Sequence, residues 1–370
     1  MQIVHIVNGA DIGGAMTQVI ALSGAQRKSG TVELIAIGPG KVIANGRRLG
    51  IPVRECAMRP AALRRLVRTL REKHDQGFVI HVHGLKPMVM AAIAARGKPL
   101  HVAATIHSDF RQEYADSRYR SAVALPLIRW AFGRIERFAT VSYELLELLR
   151  EEGVSPDRRE HIPNGVDLSL VAPTMSRQEF LRKRCVPDEG QVICGLAARL
   201  HPMKGIDLLI EVAHRFKGEP VQFVVAGSGD PTLMADYREH IRVLGLADQV
   251  HMVGFVENIY DFYQAIDVNL LTSYSEGVSY SVMEGAALGR PLVCTAVSGM
   301  ESLVQDEVDG LKVPVGDADA FAAALRRLVD DPALRHTLGG RSREKVINDY
   351  SSEVMARRYD DLYRRLLQVA

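Results

Sequence analysis

The sequence predicts an α/β protein with two domains, and three observations support this. Its 370 residues suffice for about two domains of ordinary size. Short runs rich in Val and Ile alternate throughout with helical patterns, which is typical of βαβ units and parallel sheets. A polar stretch with Pro173, Thr174 and Ser176 interrupts this alternation near the middle of the chain. The predicted architecture is therefore two Rossmann-like domains that face each other across a cleft.

Each domain is expected to contain five strands separated by helices. The strand-like runs are Ile3–Val7, Val32–Ile37, Val79–Val82, His101–Ile106 and Phe138–Val141 in the first half, and Val192–Leu196, Val221–Ala226, Val250–Val253, Val268–Leu271 and Leu292–Thr295 in the second. We expect the domains to span residues 1–170 and 171–351. The chain ends with a helical stripe of apolar side chains between Ser352 and Leu367, which must cover part of the protein.

The composition is that of an ordinary globular protein. Forty-six basic and 44 acidic residues give a formal net charge of +2, so the charge does not point to nucleic acid. No apolar run approaches the roughly 20 residues of a membrane-spanning helix, and the N-terminus lacks a basic region and a cleavage site. Four scattered cysteines without a CxxC pair indicate neither a zinc site nor a disulfide framework. We therefore expect a cytoplasmic protein.

Two glutamates, Glu276 and Glu284, are the most informative residues of the chain. They follow the predicted strand Val268–Leu271, and a helix is predicted to begin between them near Ser279. Open α/β sheets bind ligands at the carboxyl ends of their strands, and a helix N-terminus there binds anions. Because carboxylates repel phosphate, the pair is better suited to accept sugar hydroxyls at either end of a diphosphate. A nucleotide-sugar fits this description; two exposed glutamates without a function are the alternative.

A basic pair lies at the same predicted edge. Arg199 and Lys204 follow the first strand of the second domain. Arginine binds phosphate with two parallel hydrogen bonds, and lysine acts as a point charge. Both residues can hold a diphosphate and stabilise the negative charge that it gains as a leaving group. The alternative, two solvated basic residues in a loop, is less favoured because the glutamates lie at the same edge.

Two glycine motifs follow predicted strands. One comes after the first strand of the first domain, and the other comes after the second strand of the second domain. Gly13 and Gly14 precede a predicted helix, where they would let the backbone approach an anion; a tight turn without a ligand is the alternative. Their spacing is not G-x-G-x-x-G, and Ala226-Gly-Ser-Gly-Asp-Pro-Thr lacks a third glycine. A nicotinamide or flavin cofactor is therefore disfavoured, and with it an NAD-dependent oxidoreductase.

Several histidines and aspartates are candidates for catalytic groups or metal ligands. His107 directly follows a strand of the first domain and can hydrogen-bond a substrate hydroxyl or share a proton at neutral pH. His81 and His83 alternate along a strand and point to one face, but no third ligand is evident. Asp317 and Asp319 resemble a metal-binding pair, although an N-cap explains them better. We predict no metal site.

Taken together, these motifs resemble glycosyltransferase family 4, whose members are retaining enzymes of the two-domain GT-B fold. The resemblance spans nearly the whole chain, and its motifs are Gly13-Gly14, Thr105-Ile-His107, Ile162-Pro-Asn-Gly-Val-Asp167, Arg199 with Lys204-Gly205, Gly227-Ser-Gly229 and the pair Glu276 and Glu284. The glutamate pair and the Arg/Lys pair are specific, whereas the glycine motifs are weak alone. The chain has Ser279-Tyr280-Ser281 where many members have Gly or Pro and aliphatic residues, so the donor sugar cannot be copied from a relative.

The resemblance implies a role for each matching position of the second domain. Arg199 and Lys204 would bind the donor diphosphate and take part in catalysis. Glu284 would accept hydroxyls of the nucleotide ribose, and Glu276 would contact the donor sugar as a catalytic residue. The remaining donor-binding positions are Gly227 and the backbone N–H groups near Ser281 and Val282.

In the first domain, the resemblance implies that Gly13 and Gly14 approach the diphosphate or the acceptor, and that His107 lies near the donor sugar. The C-terminal helix, about residues 352–370, would return to this domain. The donor is expected to be a UDP-sugar, and the acceptor a hydroxyl in a cell-surface polysaccharide, a glycolipid or a small glycoside. Transfer would retain configuration through a front-face, ion-pair-like step. No cofactor and no metal are expected, since the nucleotide-sugar is itself a substrate.

Residues 60–74 form a basic amphipathic segment. One face carries Leu63, Leu66, Val67 and Leu70, and the remainder carries Arg64, Arg65, Arg68, Arg71 and Lys73. One interpretation is a surface helix with solvated arginines. The other is peripheral attachment to anionic lipid on the inner face of the cell membrane, which would suit a lipid-linked acceptor.

Two alternatives to a transferase stay open. A nucleotide-sugar epimerase or hydrolase of similar fold would consume the donor without an acceptor. The second alternative is not an enzyme: a catalytically silent protein that binds a nucleotide-sugar and serves as a scaffold for polysaccharide assembly. The presence of all four charged motif residues argues against the scaffold, because a silent relative need not retain them.

Overall fold

Every apolar run predicted as a strand forms one in the computed structural model, which describes residues 1–11, 13–113 and 118–368, without the side chains of residues 112, 113 and 118–123. The strands are β1 (Gln2–Asn8), β2 (Thr31–Ile37), β3 (Val53–Cys56), β4 (Val79–His83), β5 (Val102–Ile106), β6 (Arg137–Thr140), β7 (Arg159–His161), β8 (Val192–Ala197), β9 (Val221–Ala226), β10 (Val250–Gly254), β11 (Val268–Leu271), β12 (Leu292–Thr295) and β13 (Leu311–Val313). Three of these, β3, β7 and β13, were not predicted.

Helices fill the connections between the strands. They are α1 (Gly14–Arg27), α2 (Lys41–Arg48), α3 (Pro60–Asp75), α4 (Leu85–Ala94), α5 (Phe110–Glu113), α6 (Arg118–Phe132), α7 (Tyr143–Glu151), α8 (Arg177–Lys183), α9 (Ile206–His214), α10 (Pro231–Val243), α11 (Ile259–Ala265), α12 (Tyr280–Ala287), α13 (Ala318–Asp330), α14 (Pro332–Asp349) and α15 (Ser352–Gln368). The side chain of Asp317 accepts a hydrogen bond of 2.9 Å from the N–H of Ala320 at the start of α13. The predicted N-cap is thereby confirmed.

The strands form two parallel sheets of the same design. The first has the order β3-β2-β1-β4-β5-β6-β7, and the second has the order β10-β9-β8-β11-β12-β13. In each sheet the chain first adds strands on one side of its starting strand and then crosses to the other side. This doubly wound order places a switch point between β1 and β4 and another between β8 and β11, where such sheets bind ligands.

The chain divides into two compact units, Met1–Asp167 with Tyr350–Ala370, and Leu168–Asp349. The segments that leave and re-enter the first unit lie side by side. Val166 N–H donates to the carbonyl oxygen of Tyr350, and Ser352 N–H donates to that of Val166, both over 2.8 Å. Gly165 permits this approach, because a Cβ there would lie 2.6 Å from the carbonyl oxygen of Ser351.

The last helix, α15, belongs to the first unit. Met355, Tyr359, Leu362, Tyr363 and Leu366 are buried in a cluster with residues of α1 and the first sheet. Burial of side chains of this size stabilises the fold by about 1.5–3 kcal/mol each. The expected return of the C-terminal helix to the first domain is confirmed. The prediction that Leu367 belongs to the covered apolar stripe is wrong, since this side chain is 42% exposed.

Candidate functional site

The loops that follow β8 and β11 are joined to each other at the switch point of the second sheet. Thr272 Oγ1 donates to the carbonyl oxygen of Lys204 over 3.0 Å, and Tyr274 N–H donates to that of Met203 over 2.9 Å. Gly205 has a φ of +62°, and a Cβ there would lie 2.1 Å from the carbonyl oxygen of Thr272. A side chain at this position would therefore separate the two loops.

Lys204 and Glu276 form an ion pair across these two loops. Lys204 Nζ lies 2.7 Å from both carboxylate oxygens of Glu276, and Ser273 Oγ donates to Glu276 Oε1 over 2.6 Å. The side chain of Glu276 is only 9% exposed. A carboxylate this buried needs a cation or several donors, and here it has both.

Arg199 lies on the same β8 loop but takes no part in this ion pair. It is exposed, and within the described part of the chain it makes no hydrogen bond or ion pair. Its guanidinium is thus available to a ligand at the carboxyl edge of the second sheet. Its predicted contact with a donor diphosphate stays a prediction.

Helix α12 begins in the same loop region, directly after Ser279. The Ser279 hydroxyl lies 2.9 Å from the Ser281 hydroxyl and does not cap a backbone N–H group. The N–H groups of Ser281 and Val282 are among the first four of the helix, which have no intrahelical partner. Asn269 of β11 holds this turn, because its Nδ2 donates to the carbonyl oxygen of Ser281 over 3.0 Å. The structure thus gives α12 a fixed N-terminus with donors for an anion.

Glu284 lies inside α12 with its carboxylate in a buried environment. Tyr263 Oη donates to Glu284 Oε2 over 3.4 Å. Burial raises the pKa of Glu284 to about 7, and the hydrogen bond from Tyr263 opposes this rise. Near neutral pH the carboxyl group therefore titrates, and only its ionised form is a pure hydrogen-bond acceptor.

Gly227 has a structural reason for being glycine. Its φ is +142°, and a Cβ there would lie 1.8 Å from the carbonyl oxygen of Ala198. The loop after β9 lies against the loop after β8, where Leu200 N–H donates to the carbonyl oxygen of Ser228 over 2.9 Å. Gly227 therefore supports the loop that carries Arg199. Its predicted contact with the donor is not tested by this geometry.

In the first unit, Gly13 and Gly14 lie at the N-terminus of α1. Gly13 has a φ of +71°, and no atom of the described residues beyond its chain neighbours lies within 4 Å of the position that its Cβ would take. Its backbone conformation therefore favours glycine, while the space beside it is open. A ligand contact at these two residues stays a prediction.

His107 follows β5 directly, as predicted, and its Nε2 lies 3.2 Å from His83 Nδ1. Burial lowers the pKa of His107 to about 4. The imidazole is therefore neutral at pH 7. Of its two predicted roles, this favours hydrogen bonding to a substrate hydroxyl over proton sharing.

Several residues of these clusters were missed by sequence reasoning. They are Tyr263, Asn269, Thr272 and Ser273 around the motif residues of the second unit, and His5 beside His81 and His83 in the first. Asn269 is the polar exception in the apolar strand β11. That was the one sequence signal that could have found any of them.

No helix of the described residues has the length and apolar character needed to cross a membrane.

Comparison with known proteins places these observations in a family. Residues 12–170 match the model described as Glycosyltransferase Family 4, and residues 177–345 match Glycosyl transferases group 1. The chain is 28% identical over 309 residues to the UDP-Gal:alpha-D-GlcNAc-diphosphoundecaprenol alpha-1,3-galactosyltransferase of Escherichia coli, covering 79% of this chain and 76% of that protein. It is 31% identical over 249 residues to the D-inositol 3-phosphate glycosyltransferase of Kineococcus radiotolerans, covering 62% of this chain and 57% of that protein.

A solved structure shares the fold over the full length. The crystal structure of Anabaena HepE in complex with UDP matches with a TM-score of 0.84, at 20% identity, over 99% of this chain and 100% of that one. The two family models together cover most of the chain, one on each unit. The chain therefore belongs to glycosyltransferase family 4, and it is a transferase with the GT-B fold.

Proposed function

We propose that the protein transfers a hexosyl group from a UDP-sugar to a hydroxyl acceptor, with retention of configuration at the anomeric carbon. The observation that carries this proposal is the Lys204–Glu276 ion pair beside the N-terminus of α12, with Glu284 inside the same helix. The UDP part is supported by the Escherichia coli relative, whose name specifies UDP-Gal, and by the Anabaena HepE complex with UDP.

The donor diphosphate would lie at the N-terminus of α12. There the N–H groups of Ser281 and Val282 supply donors, and the helix dipole favours negative charge. The Lys204 ammonium is 2.7 Å from Glu276 and would be shared between this carboxylate and the phosphate. Arg199 adds a second cation from the same loop. Glu284 would accept hydrogen bonds from the ribose hydroxyls of the nucleotide.

The reaction breaks the bond between the anomeric carbon and the diphosphate and forms a bond to the acceptor oxygen on the same face. The acceptor proton passes to the departing phosphate oxygen. As negative charge grows on the diphosphate, Lys204, Arg199 and the helix N-terminus would stabilise it. Because these groups supply the positive charge, we propose that turnover needs no divalent metal.

Glu276 would bind the donor sugar rather than attack it. Both of its carboxylate oxygens lie 2.7 Å from Lys204 Nζ, and one also receives the Ser273 hydroxyl. Hydrogen bonding in this way lowers the nucleophilicity of a carboxylate. It leaves the remaining lone pairs free to accept sugar hydroxyls. This arrangement favours a front-face step over a covalent glycosyl-enzyme.

The proposal predicts selective stabilisation by one nucleotide series. UDP and its sugars are expected to raise the Tm of the purified protein, with and without EDTA, whereas GDP and ADP produce little change. The donor that gives the largest shift is then supplied with candidate acceptors. NMR of the product is expected to show the same anomeric configuration as the donor.

Other results would favour another function. Donor loss without an acceptor would indicate a hydrolase, and conversion of the donor to an epimer would indicate an epimerase. Binding of UDP-sugar without turnover under every acceptor condition would favour a scaffold. Absence of any nucleotide-dependent shift would contradict the donor site itself.

An apolar groove in the first unit supports a lipid-linked acceptor. It has a volume of about 250 Å³ and includes Ile37 at the end of β2, Leu63 of α3 and Leu85 at the start of α4, which follows β4. Met58 and Leu127, which also line it, are exposed apolar side chains. The groove thus lies at the carboxyl edge of the first sheet. An isoprenoid chain fits such a surface, and the Escherichia coli relative is named for a diphosphoundecaprenol acceptor.

Helix α3 forms one side of this groove and carries exposed arginines. Leu66 and Leu70 of its predicted apolar face are buried in the core, whereas Arg64, Arg65 and Arg68 are exposed. The other two basic residues of this helix contact the protein itself. Arg71 donates to the carbonyl oxygens of Ala94 and Arg96, and Lys73 pairs with Glu33. The three exposed arginines suit attraction to anionic lipid headgroups.

We expect the triple variant Arg64→Glu/Arg65→Glu/Arg68→Glu to lose binding to anionic vesicles. Each cationic side chain near an anionic surface contributes about 1 kcal/mol, so the loss is on the order of 100-fold. Turnover of a soluble acceptor analogue should be unchanged. Co-sedimentation with phosphatidylserine vesicles and parallel activity assays check both results.

A matched control replaces three exposed arginines elsewhere, Arg182, Arg238 and Arg357, with glutamate. The change in net charge is the same, so vesicle binding should fall much less. Equal sedimentation of the α3 variant and the wild-type protein would rule out attachment through this helix.

A further inference from the structure

A chain of hydrogen-bonded side chains runs through the interior of the first unit and ends at His107. Gln26 Oε1 lies 2.8 Å from His5 Nε2, and His5 Nδ1 lies 3.0 Å from His83 Nε2. His83 Nδ1 in turn lies 3.2 Å from His107 Nε2. Gln26, His5 and His83 are almost completely buried. These four residues are called the histidine chain below.

The glutamine at the start of the histidine chain sets its direction. Oε1 of Gln26 can only accept, so His5 carries its proton on Nε2. The other side of the amide favours the same orientation. Gln26 Nε2 makes no hydrogen bond within the described residues, but its interaction with Asp360 opposes the rise that burial causes in the pKa of that carboxyl group. A carboxylate attracts the NH2 group and repels the carbonyl oxygen, so Oε1 faces His5.

Burial keeps the three imidazoles uncharged at neutral pH. It lowers the pKa of His5 and of His107 to about 4, and it lowers that of His83 well below its usual value. A neutral imidazole has one N–H and one lone pair. His5 Nδ1 must therefore accept from the N–H at His83 Nε2. His83 Nδ1 must then accept from the N–H at His107 Nε2.

A metal ion is not the better explanation of this cluster. Ring nitrogens of His5, His81 and His83 lie within 4.8 Å of one another. Both ring nitrogens of each residue, however, already have a hydrogen-bond partner in the protein. Those of His81 are Thr105 Oγ1 at 2.8 Å and Tyr363 Oη at 2.6 Å. The cluster is complete as a hydrogen-bond network.

We propose that Gln26 is a positioning residue that, through His5 and His83, holds His107 as its Nε2–H tautomer. His107 then offers the lone pair of Nδ1 to a ligand, so that it accepts a hydrogen bond from a hydroxyl and does not donate one. The assignment of that hydroxyl to the donor sugar rests on the proposed function. The tautomer itself does not.

The tautomer can be measured directly by NMR of the full-length protein labelled with ¹⁵N-histidine. The signals of His107 are assigned by comparison with the His107→Gln variant. In the wild-type protein at neutral pH, Nε2 is expected to be protonated and Nδ1 unprotonated. Gln26→Met removes the acceptor at the start of the chain. It should give a mixture of both tautomers at His107 and lower kcat/KM by about tenfold, the effect of one lost hydrogen bond.

Gln18→Met is the matched control. Gln18 is also buried on α1, but its amide donates to Tyr359 Oη over 3.0 Å and lies outside the histidine chain. This variant should leave the tautomer of His107 and kcat/KM unchanged.

A wild-type His107 protonated on Nδ1 would overturn the proposal without any variant. An unchanged tautomer in folded Gln26→Met protein would overturn it as well. An inactive wild-type protein with the expected tautomer would support the histidine chain and count against the proposed function alone.

Discussion

Replacing Lys204 with alanine is expected to lower kcat/KM for the donor by about 100- to 1,000-fold, which is typical for loss of one group that stabilises developing negative charge. The loops after β8 and β11 hold Lys204 at the switch point, and its Nζ already lies 2.7 Å from both oxygens of Glu276. In the variant, the proposed diphosphate site lacks the positive charge of this side chain. Steady-state kinetics with the best donor and calorimetric titration with UDP check the result.

The same substitution should also destabilise the fold. The Glu276 side chain, which is 9% exposed, would keep only the Ser273 hydroxyl as a partner among the described residues. A buried charge left without its cation costs roughly 1–3 kcal/mol. Adding Glu276→Gln to Lys204→Ala removes that charge and should recover most of the lost Tm while activity stays low. This separates the structural effect from the catalytic one.

A lysine on the surface of the second unit provides the control. Lys183 forms an exposed ion pair with Glu179 one turn away on α8, over 2.9 Å. Surface pairs of this kind contribute little, so Lys183→Ala should leave both kinetics and Tm unchanged. If folded Lys204→Ala protein binds UDP and turns over like the wild type, the diphosphate site lies elsewhere.

The fold was predictable where a strand carries an apolar run. Strands buried on both faces are continuous apolar runs, and all ten predicted runs form strands, including the half-buried edge strand β10. The three missed strands have three or four residues and lie at the edges of their sheets, where charged residues such as Arg54 of β3, Arg159 of β7 and Lys312 of β13 are tolerated. Their apolar pattern is too short to distinguish them from loops.

For the candidate site, the sequence predicted which edge of the sheet carries the motif residues, but not which of these residues contact each other. Motif residues after β8 and β11 were expected at one edge because both follow strands. Their direct contact depends on the strand order, which makes β8 and β11 neighbours although about 70 residues separate Lys204 from Glu276. Local sequence patterns carry no information about that order. For the same reason, the contact of His5 with His83 could not be foreseen.

Replacing Glu284 with glutamine is expected to stabilise the ligand-free protein and weaken nucleotide binding at the same time. The pKa of Glu284 rises from an ordinary 4.5 to about 7 in the folded protein, because the carboxyl group is buried. The folded state therefore holds this proton more tightly than the unfolded state, and stability is lost as the pH rises from about 4.5 through 7. Glutamine resembles the protonated form. The variant should gain up to roughly 3 kcal/mol at pH 8 and much less at pH 5.

Nucleotide binding should change in the opposite direction. The ionised carboxylate can accept one ribose hydroxyl on each of its two oxygens, whereas the protonated carboxyl and the glutamine amide have one accepting oxygen in the same geometry. Hydrogen bonds to a charged group contribute about 1.5–3 kcal/mol. UDP affinity of the wild-type protein should therefore rise as the pH passes 7, whereas Glu284→Gln should bind about 10- to 100-fold more weakly at pH 8. Glu211→Gln, on the exposed face of α9, makes the same chemical change and should affect neither property. Thermal unfolding at pH 5 and pH 8, with and without UDP, measures both effects together. A Glu284→Gln protein that binds UDP normally would remove Glu284 from the donor site, and one without added stability at pH 8 would contradict its raised pKa.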